Sequence, residues 1–329
     1  MSVTTPNPTI EEIHALVATD LEAVDQRIKS RLYSDVMLIN QLSHYIIGGG
    51  GKRLRPILVL LAAKAVGYEG QRHIDVACII ELVHTATLLH DDVVDASQMR
   101  RGRETANLVW GNEASVLVGD FLYSRAFQMM VDLQNMRILE VLADATNTIA
   151  EGEVMQLVNC HDPSITEQRY LDTIRNKTAK LFEASSQLGV VLSTNDAELE
   201  SAFATYGRHL GTAFQLIDDA LDYNSSADSI GKNIGDDLSE GKPTLPLLYA
   251  MWNGEPSQKE VVRNAIEQGG LEQIDTILAA IESSGAIKYT FSIAEAEAAK
   301  AKAALRDVPP SPYLDALNAL AEFAVHRSS

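Results

Sequence analysis

Residues Thr85-Ala86-Thr87-Leu88-Leu89-His90-Asp91-Asp92-Val93-Val94-Asp95 run apolar up to three aspartates, and Thr212-Ala213-Phe214-Gln215-Leu216-Ile217-Asp218-Asp219-Ala220-Leu221-Asp222 repeat the pattern. Aligned, the two windows share Thr, Ala, Leu and all three Asp. Each reads as a buried helix with acid at one end, an arrangement that is costly unless something positive sits there. On a helix, positions i and i+4 share a face, so Asp91 pairs with Asp95 and Asp218 with Asp222. Asp92 and Asp219 are turned about 100° away and suit waters or supporting contacts. Oxygen-only ligands of this kind suit Mg2+, which keeps several waters and is completed by phosphate oxygens. One such motif in a chain with 45 acidic residues reads as an exposed helix surface. Two copies behind matching apolar leads read as a divalent-metal cluster at the mouth of a cavity.

The rest of the chain reads as helical too. It is 46% hydrophobic but only 6% aromatic and is rich in Ala and Leu, a balance that favours helices. Apolar residues recur at helical spacing from Ile10 to Ile47, and the glycine run Gly48–Gly51 ends that section. Pro56 fits the first turn of a helix that continues to Val66. Further helices are expected at Ile74–Asp95, Glu113–Asp132, Met136–Val158, Thr166–Leu188, Ala197–Asp222, Pro243–Trp252, Gln258–Gln268, Leu271–Ser283, an Ala-rich stretch up to Leu305, and Tyr313–Val325. No segment reads as a strand, and Asn224–Lys242 is the most loop-like stretch. The expectation is one all-α domain, a helical bundle around a central apolar cavity. Residues to about 28 form an N-terminal arm or helix, and residues 29–329 form the core.

Charge and cysteine content exclude several classes. The net charge of −18 leaves no excess of Lys or Arg to neutralise nucleic-acid phosphates. The cations that do occur are bunched at Lys52–Arg55 and Arg100–Arg103, with Lys177 in a helical stretch and Lys232 and Lys242 after the second acidic motif. Cations facing metal-bearing carboxylates describe a diphosphate site. The glycine run can add backbone N–H groups to it. No P-loop pattern is present. Cys78 and Cys160 lie far apart with no metal spacing and read as reduced core residues. The N-terminal stretch lacks the basic start and apolar run of a secretory signal. No apolar run reaches the roughly 20 residues needed to span a bilayer, so a soluble, cytoplasmic protein without stable membrane insertion is expected.

Taken together, the run Gly49-Gly50-Gly51-Lys52-Arg53-Leu54-Arg55-Pro56, the first acidic motif with Arg100-Arg101-Gly102, Gly152-Glu153-x-x-Gln156, Lys177-Thr178-Ala179, the second acidic motif, and Gly231-Lys232 followed by Gly235-Asp236-Asp237-Leu238-x-Glu240-Gly241-Lys242-x-Thr244 resemble the trans-polyprenyl diphosphate synthases. The resemblance runs in order from about residue 30 to residue 327. In Thr85–Gly102, Ala114–Met130 and Gly211–Leu248 it is strongest to the bacterial members that make an octaprenyl chain for ubiquinone.

The resemblance implies a Mg2+-dependent prenyltransferase of the helical isoprenoid-synthase type. It would add isopentenyl diphosphate to farnesyl diphosphate and act as a homodimer. Asp91, Asp92, Asp95, Asp218, Asp219 and Lys177 would carry the reaction. Isopentenyl diphosphate would be held by Lys52, Arg55, His84 and Arg101. The allylic diphosphate would be held by Arg100, Lys177, Thr178, Gln215 and Lys232, with Lys242 nearby. About two to three Mg2+ ions would bridge that diphosphate to Asp91 and Asp95 on one wall and Asp218 on the other, with Gln156 and Asp222 in support.

Product length would be set below the first motif. Ala86 and Thr87 lie about one turn back from Asp91 and are small, so a growing tail would pass them. Met129, Met130 and Leu142, on the following helices, would form part of the floor, although Met also fills ordinary core gaps. The products weighed beside octaprenyl are heptaprenyl, nonaprenyl and shorter chains. A helical metal-dependent phosphohydrolase using His84 and His90-Asp91 leaves the second acidic motif unexplained. A terpene cyclase normally carries Asn and Ser in its second metal motif, which Asp218–Asp222 lacks. A degenerate partner subunit would not need aspartates at both motifs.

Overall fold

The computed structural model describes residues 8–223 and 235–327. Its helices are α1 (Ile10–Leu16), α2 (Ala18–Arg31), α3 (Met37–Gly48), α4 (Leu54–Ala65), α5 (Arg72–Val94), α6 (Ala106–Trp110), α7 (Asn112–Asp132), α8 (Met136–Asn159), α9 (Glu167–Ile174), α10 (Lys180–Val191), α11 (Ala197–Leu221), α12 (Asp236–Ser239), α13 (Leu245–Asn253), α14 (Pro256–Gln268), α15 (Ile274–Ser284), α16 (Ala286–Ala304) and α17 (Pro312–His326). The all-α class read from composition and periodicity is the class of the fold. By packing, the chain divides into a first unit, Met1–Thr146 with Leu181–Thr205 and Leu305–Leu320, and a second unit, Asn147–Lys180 with Tyr206–Ala304 and Ala321–Ser329.

In the first unit, α5 is the central element. Ile79, Ile80, Leu82, Val83, Ala86 and Leu89 are fully buried, and the helix packs against α7, α4 and α2. Mostly apolar side chains around its circumference give it this interior position. Each fully buried Leu, Ile or Val contributes on the order of 1.5–3 kcal/mol. Helix α4 is enclosed in the same way from Pro56 to Ala63. Helix α10 approaches α4 so closely that a Cβ on Gly189 would lie 2.6 Å from the Val59 carbonyl oxygen. The N-terminal segment is no loose arm: Ile13, Val17, Val24 and Ile28 are buried, and α2 packs on α5 and α4.

In the second unit, α13 is the hub and packs against α14, α15, α16 and α9. Leu245, Leu247 and Leu248 share a core with Val262, Ile266, Ile277 and Ile281. Pro246 lies in the first turn of α13, where its missing N–H costs no intrahelical bond. Gly285, at φ 75°, ends α15 in the left-handed conformation that glycine adopts without a Cβ clash.

The structure departs from the sequence reading in several places, among them the short helices α6 and α12, which that reading does not include. The polar stretch after Asp95 contains a small antiparallel hairpin, β1 (Met99–Arg100) paired with β2 (Arg103–Glu104). Its two-residue turn, Arg101-Gly102, has φ of 53° and 73°, the sign that a type I′ turn requires at both positions. Two-residue strands are too short to leave an alternation signal. The stretch Thr166–Leu188, read as one helix, is interrupted by a π turn at Arg175–Ala179 between α9 and α10.

Candidate functional site

Both acidic motifs end their helices at the C-terminus, α5 at Val94 and α11 at Leu221. That end already carries about half a negative charge from the aligned peptide dipoles, so carboxylates there call for a cation. In each motif the middle aspartate is buried, while Asp91 and Asp95, like Asp218 and Asp222, are half-buried. This is the one-face pairing that the i, i+4 spacing requires.

In the first unit, Asp92 accepts two hydrogen bonds at Oδ1 from Arg100, from Nε at 2.8 Å and from Nη2 at 2.7 Å. Its carbonyl accepts from the Ser97 N–H at 2.9 Å and from Asn107 Nδ2 at 3.1 Å. The hairpin carrying Arg100 and Arg101 is thereby tied to the acidic end of α5. Arg101 donates to the Gly50 carbonyl, which joins the hairpin to the glycine run. Arg53 has a left-handed φ of 49° and pairs with the buried Glu81. Burial pushes the Glu81 carboxyl up, opposed chiefly by the Arg53 charge. Of the three cations in Lys52–Arg55, Arg53 is therefore committed internally, and Lys52 is exposed.

Arg55 stacks over the Phe182 ring at 4.4 Å, and its Nη1 lies 3.1 Å from His84 Nε2. His84 also lines a small cleft with Gly49, Gly50, Arg53, Arg100 and Arg101 among others. Burial first, and then the charges of Arg55, Arg101, Arg100 and Arg53, hold His84 well below the usual imidazole value of 6.5. Folded His84 therefore stays neutral while the unfolded chain takes up a proton below pH 6.5. Its contribution to stability is present above that pH and is lost as pH falls toward the folded value, at a limit of about 1.4 kcal/mol per pH unit. Urea midpoints measured between pH 6.5 and pH 5 should fall more steeply for the native chain than for His84→Asn. Equal slopes would remove His84 as the cause.

The chain-length candidates are also in this unit. Ala86, Met129, Met130 and Leu142 are buried, and the Thr87 hydroxyl donates to the His84 carbonyl at 2.8 Å. Cys78 Sγ lies 3.9 Å from Met129 Sδ, so α5 and α7 meet through sulfur at that level.

In the second unit, Asp218 takes its counter-charge from Arg327, whose Nη2 lies 2.6 Å from Oδ1. The same guanidinium stacks on Phe214 at 3.6 Å and donates to the Phe214 carbonyl. Asp219 accepts the Tyr170 hydroxyl at 2.5 Å and Gln215 Nε2 at 2.7 Å. Burial first, then the Asp237 charge, push its carboxyl up to about 8. Asp222 accepts the Asp237 N–H at 3.2 Å through Oδ2 and the Gly235 N–H at 3.0 Å through its carbonyl, so it anchors α12.

Lys177 and Thr178 stand on the π turn, a distortion often found where side chains must be re-aimed for function. Lys177 Nζ is 2.6 Å from the Glu153 carboxylate, and the Thr178 hydroxyl donates to Gln215 Oε1 at 2.9 Å. A Cβ on Gly152 would collide with the Lys177 main chain, so only glycine lets α8 lie against this turn. Lys242 pairs with Glu240. Gln156 is half-buried. Lys232 lies outside the described residues.

Sequence reasoning missed four partners: Glu81 for Arg53, Glu153 for Lys177, Tyr170 for Asp219 and Arg327 for Asp218. Glu153 stands inside a quoted motif, yet only the fold gives it this role. The other three carry no motif signal, because their pairing spans the chain.

The donor chemistry fits Mg2+. The aspartates of each motif that are not buried offer only carboxylate oxygens. Among the described residues no three His, Cys, Asp or Glu side chains converge to hold an ion by themselves. A hard cation completed by waters and phosphate oxygens suits such a set.

With that geometry in place, comparison with known proteins defines the class: residues 36–283 match the polyprenyl synthetase family, and the chain belongs to it. Among individual relatives, it is 55% identical to octaprenyl diphosphate synthase of Escherichia coli (strain K12), over 97% of this chain and 99% of that one. It is 46% identical to an all-trans-nonaprenyl-diphosphate synthase (geranyl-diphosphate specific) of Rhodobacter capsulatus, over 96% and 98% of the two chains. The crystal structure of a polyprenyl synthase from Caulobacter crescentus CB15, complexed with calcium and isoprenyl diphosphate, superposes with a TM-score of 0.93 at 43% identity, covering 99% of this chain and 100% of that one.

Proposed function

We propose that this chain is a prenyltransferase that extends farnesyl diphosphate with isopentenyl diphosphate to all-trans octaprenyl diphosphate, the side-chain precursor of ubiquinone. The observation that carries this reading is full-length identity of 55% to an octaprenyl synthase, joined to two acidic helix ends with arginine-rich surroundings. The Caulobacter relative, crystallised with a divalent cation and an isoprenyl diphosphate, supports the ligand classes.

Lys52, Arg55, His84 and Arg101 hold isopentenyl diphosphate. Arg100, Lys177, Thr178 and Gln215 hold the allylic diphosphate, with Lys232 and Lys242. Asp91, Asp95 and Asp218 would hold about two to three Mg2+ ions. Magnesium, when bound, neutralises the diphosphate and stabilises the charge that develops as it leaves. Fixed Lys and Arg donors do the same work from the protein side, most strongly in the transition state. The allylic C–O bond breaks, the double bond of isopentenyl diphosphate forms the new bond to C1, and a proton is lost. No His or carboxylate is assigned as its base, and in this reading the departed diphosphate accepts the proton.

The chain acts as a single catalytic domain in the cytoplasm. Among the described residues no helix is long and apolar enough to cross a membrane. A homodimer is the expected assembly, and exposed Val116, Leu117, Phe127 and Val131 give α7 an apolar stripe for it.

The test is a product assay with Mg2+, farnesyl diphosphate and labelled isopentenyl diphosphate, followed by sizing of the dephosphorylated products. A single octaprenol supports the reading in full. A heptaprenol or nonaprenol keeps the reaction and moves the floor. Farnesol without elongation refutes the synthase reading.

A further inference from the structure

Tyr170 belongs to no motif, yet it begins a continuous hydrogen-bond chain. It projects from α9 with only 4% exposure, and its hydroxyl donates to Asp219 Oδ2 at 2.5 Å. The other oxygen of that buried carboxylate accepts Gln215 Nε2 at 2.7 Å, one turn earlier on α11. Gln215 Oε1 in turn accepts the Thr178 hydroxyl at 2.9 Å. Four side chains on α9, α11 and the π turn are thus linked: Thr178 donates to Gln215, and Gln215 and Tyr170 both donate to Asp219. The amide of Gln215 is held at both ends, so it cannot flip without breaking two bonds.

We propose that Tyr170 is a positioning residue for the allylic diphosphate: it is the fixed end of the chain that orients Gln215 and, through it, Thr178. The inference rests on the reading that Gln215 and the Lys177–Thr178 turn hold that diphosphate. Tyr170 is suited to the task because its ring is held in the core with Ile174 and Leu171 while its hydroxyl meets a buried carboxyl oxygen at 2.5 Å. Losing the donor leaves a buried acceptor unsatisfied, which is the costly way to break such a bond. Asp219 then recovers a donor only by moving, and Gln215 moves with it.

Tyr170→Phe removes the hydroxyl and keeps the ring, so packing is preserved. With the full chain, two affinities are measured in the presence of Mg2+: that for farnesyl thiodiphosphate, an unreactive allylic analogue, and the KM for isopentenyl diphosphate. Binding of the allylic analogue should weaken about 10-fold, while the KM for isopentenyl diphosphate stays within about two-fold. The Tyr170→Phe and Thr178→Ala losses in allylic affinity should also be non-additive, although the two side chains do not touch. A lower Tm with both affinities unchanged, or equal weakening of both substrates, overturns the proposal. Lys177→Ala separates the two layers of argument. If it leaves allylic affinity intact, the assignment of the turn fails. If it weakens allylic binding and Tyr170→Phe does not, the role of Tyr170 alone fails.

Discussion

Asp91→Asn should lower kcat by on the order of 10^3 while leaving the fold intact, since removing a single group that stabilises a transition-state charge costs about 10^2–10^3 in rate. The amide keeps the size of the carboxylate and removes the charge that Mg2+ needs. Position on the helix adds an unusual signature. A negative side chain at the C-terminal end of α5 works against the helix dipole, so neutralising it should relieve about 0.3–1 kcal/mol. The variant is therefore expected to melt at or slightly above the Tm of the native chain while being nearly inactive. Thermal melts with and without Mg2+ read both halves: the gain in Tm that Mg2+ gives the native chain should shrink. Full activity with an unchanged Mg2+ response would remove Asp91 from the metal site.

Ala86→Phe should shorten the product drastically. Ala86 lies five residues before Asp91 on α5, about 7.5 Å along the helix axis, so an aromatic ring there stops a growing tail within about one or two additions. The Tm distinguishes a true channel from a filled core. If the ring enters open space beside a substrate path, stability changes little. If Ala86 faces only packed side chains, overpacking costs about 1–3 kcal/mol and the product keeps its length. Sizing the prenyl alcohols made by the variant decides between them. Unchanged products together with a lower Tm would assign Ala86 to the core.

The sequence disclosed the fold class and the outward-facing carboxylates because both depend on local periodicity. Helix α5 is mostly apolar ahead of its acidic end, and i, i+4 spacing alone places Asp91 beside Asp95. Local pattern could not reveal how the cations divide their duties. Lys52, Arg53 and Arg55 look equivalent in one basic run, yet Arg53 is drawn inward by Glu81, 28 positions away. Arg100 was read as a diphosphate ligand from its motif, and the structure shows its guanidinium already engaged by Asp92. The hairpin that presents it has strands of two residues, below the length at which alternation is visible. The π turn was hidden for a different reason: one extra residue in a helical turn leaves the apolar pattern on either side intact.

Gly152 carries a consequence for anyone seeking a more robust version of this chain. It sits inside α8, exposed to the usual arithmetic in which Gly→Ala within a helix gains about 1 kcal/mol. A propensity-guided redesign would rank it among the first positions to change. The Lys177 backbone occupies the space that the new methyl group would need, so the local helical gain comes at the expense of the turn bearing Lys177 and Thr178. The clash with fixed backbone outweighs the propensity gain, so stability and catalysis suffer together, and thermostabilising libraries of the chain should hold Gly152 constant.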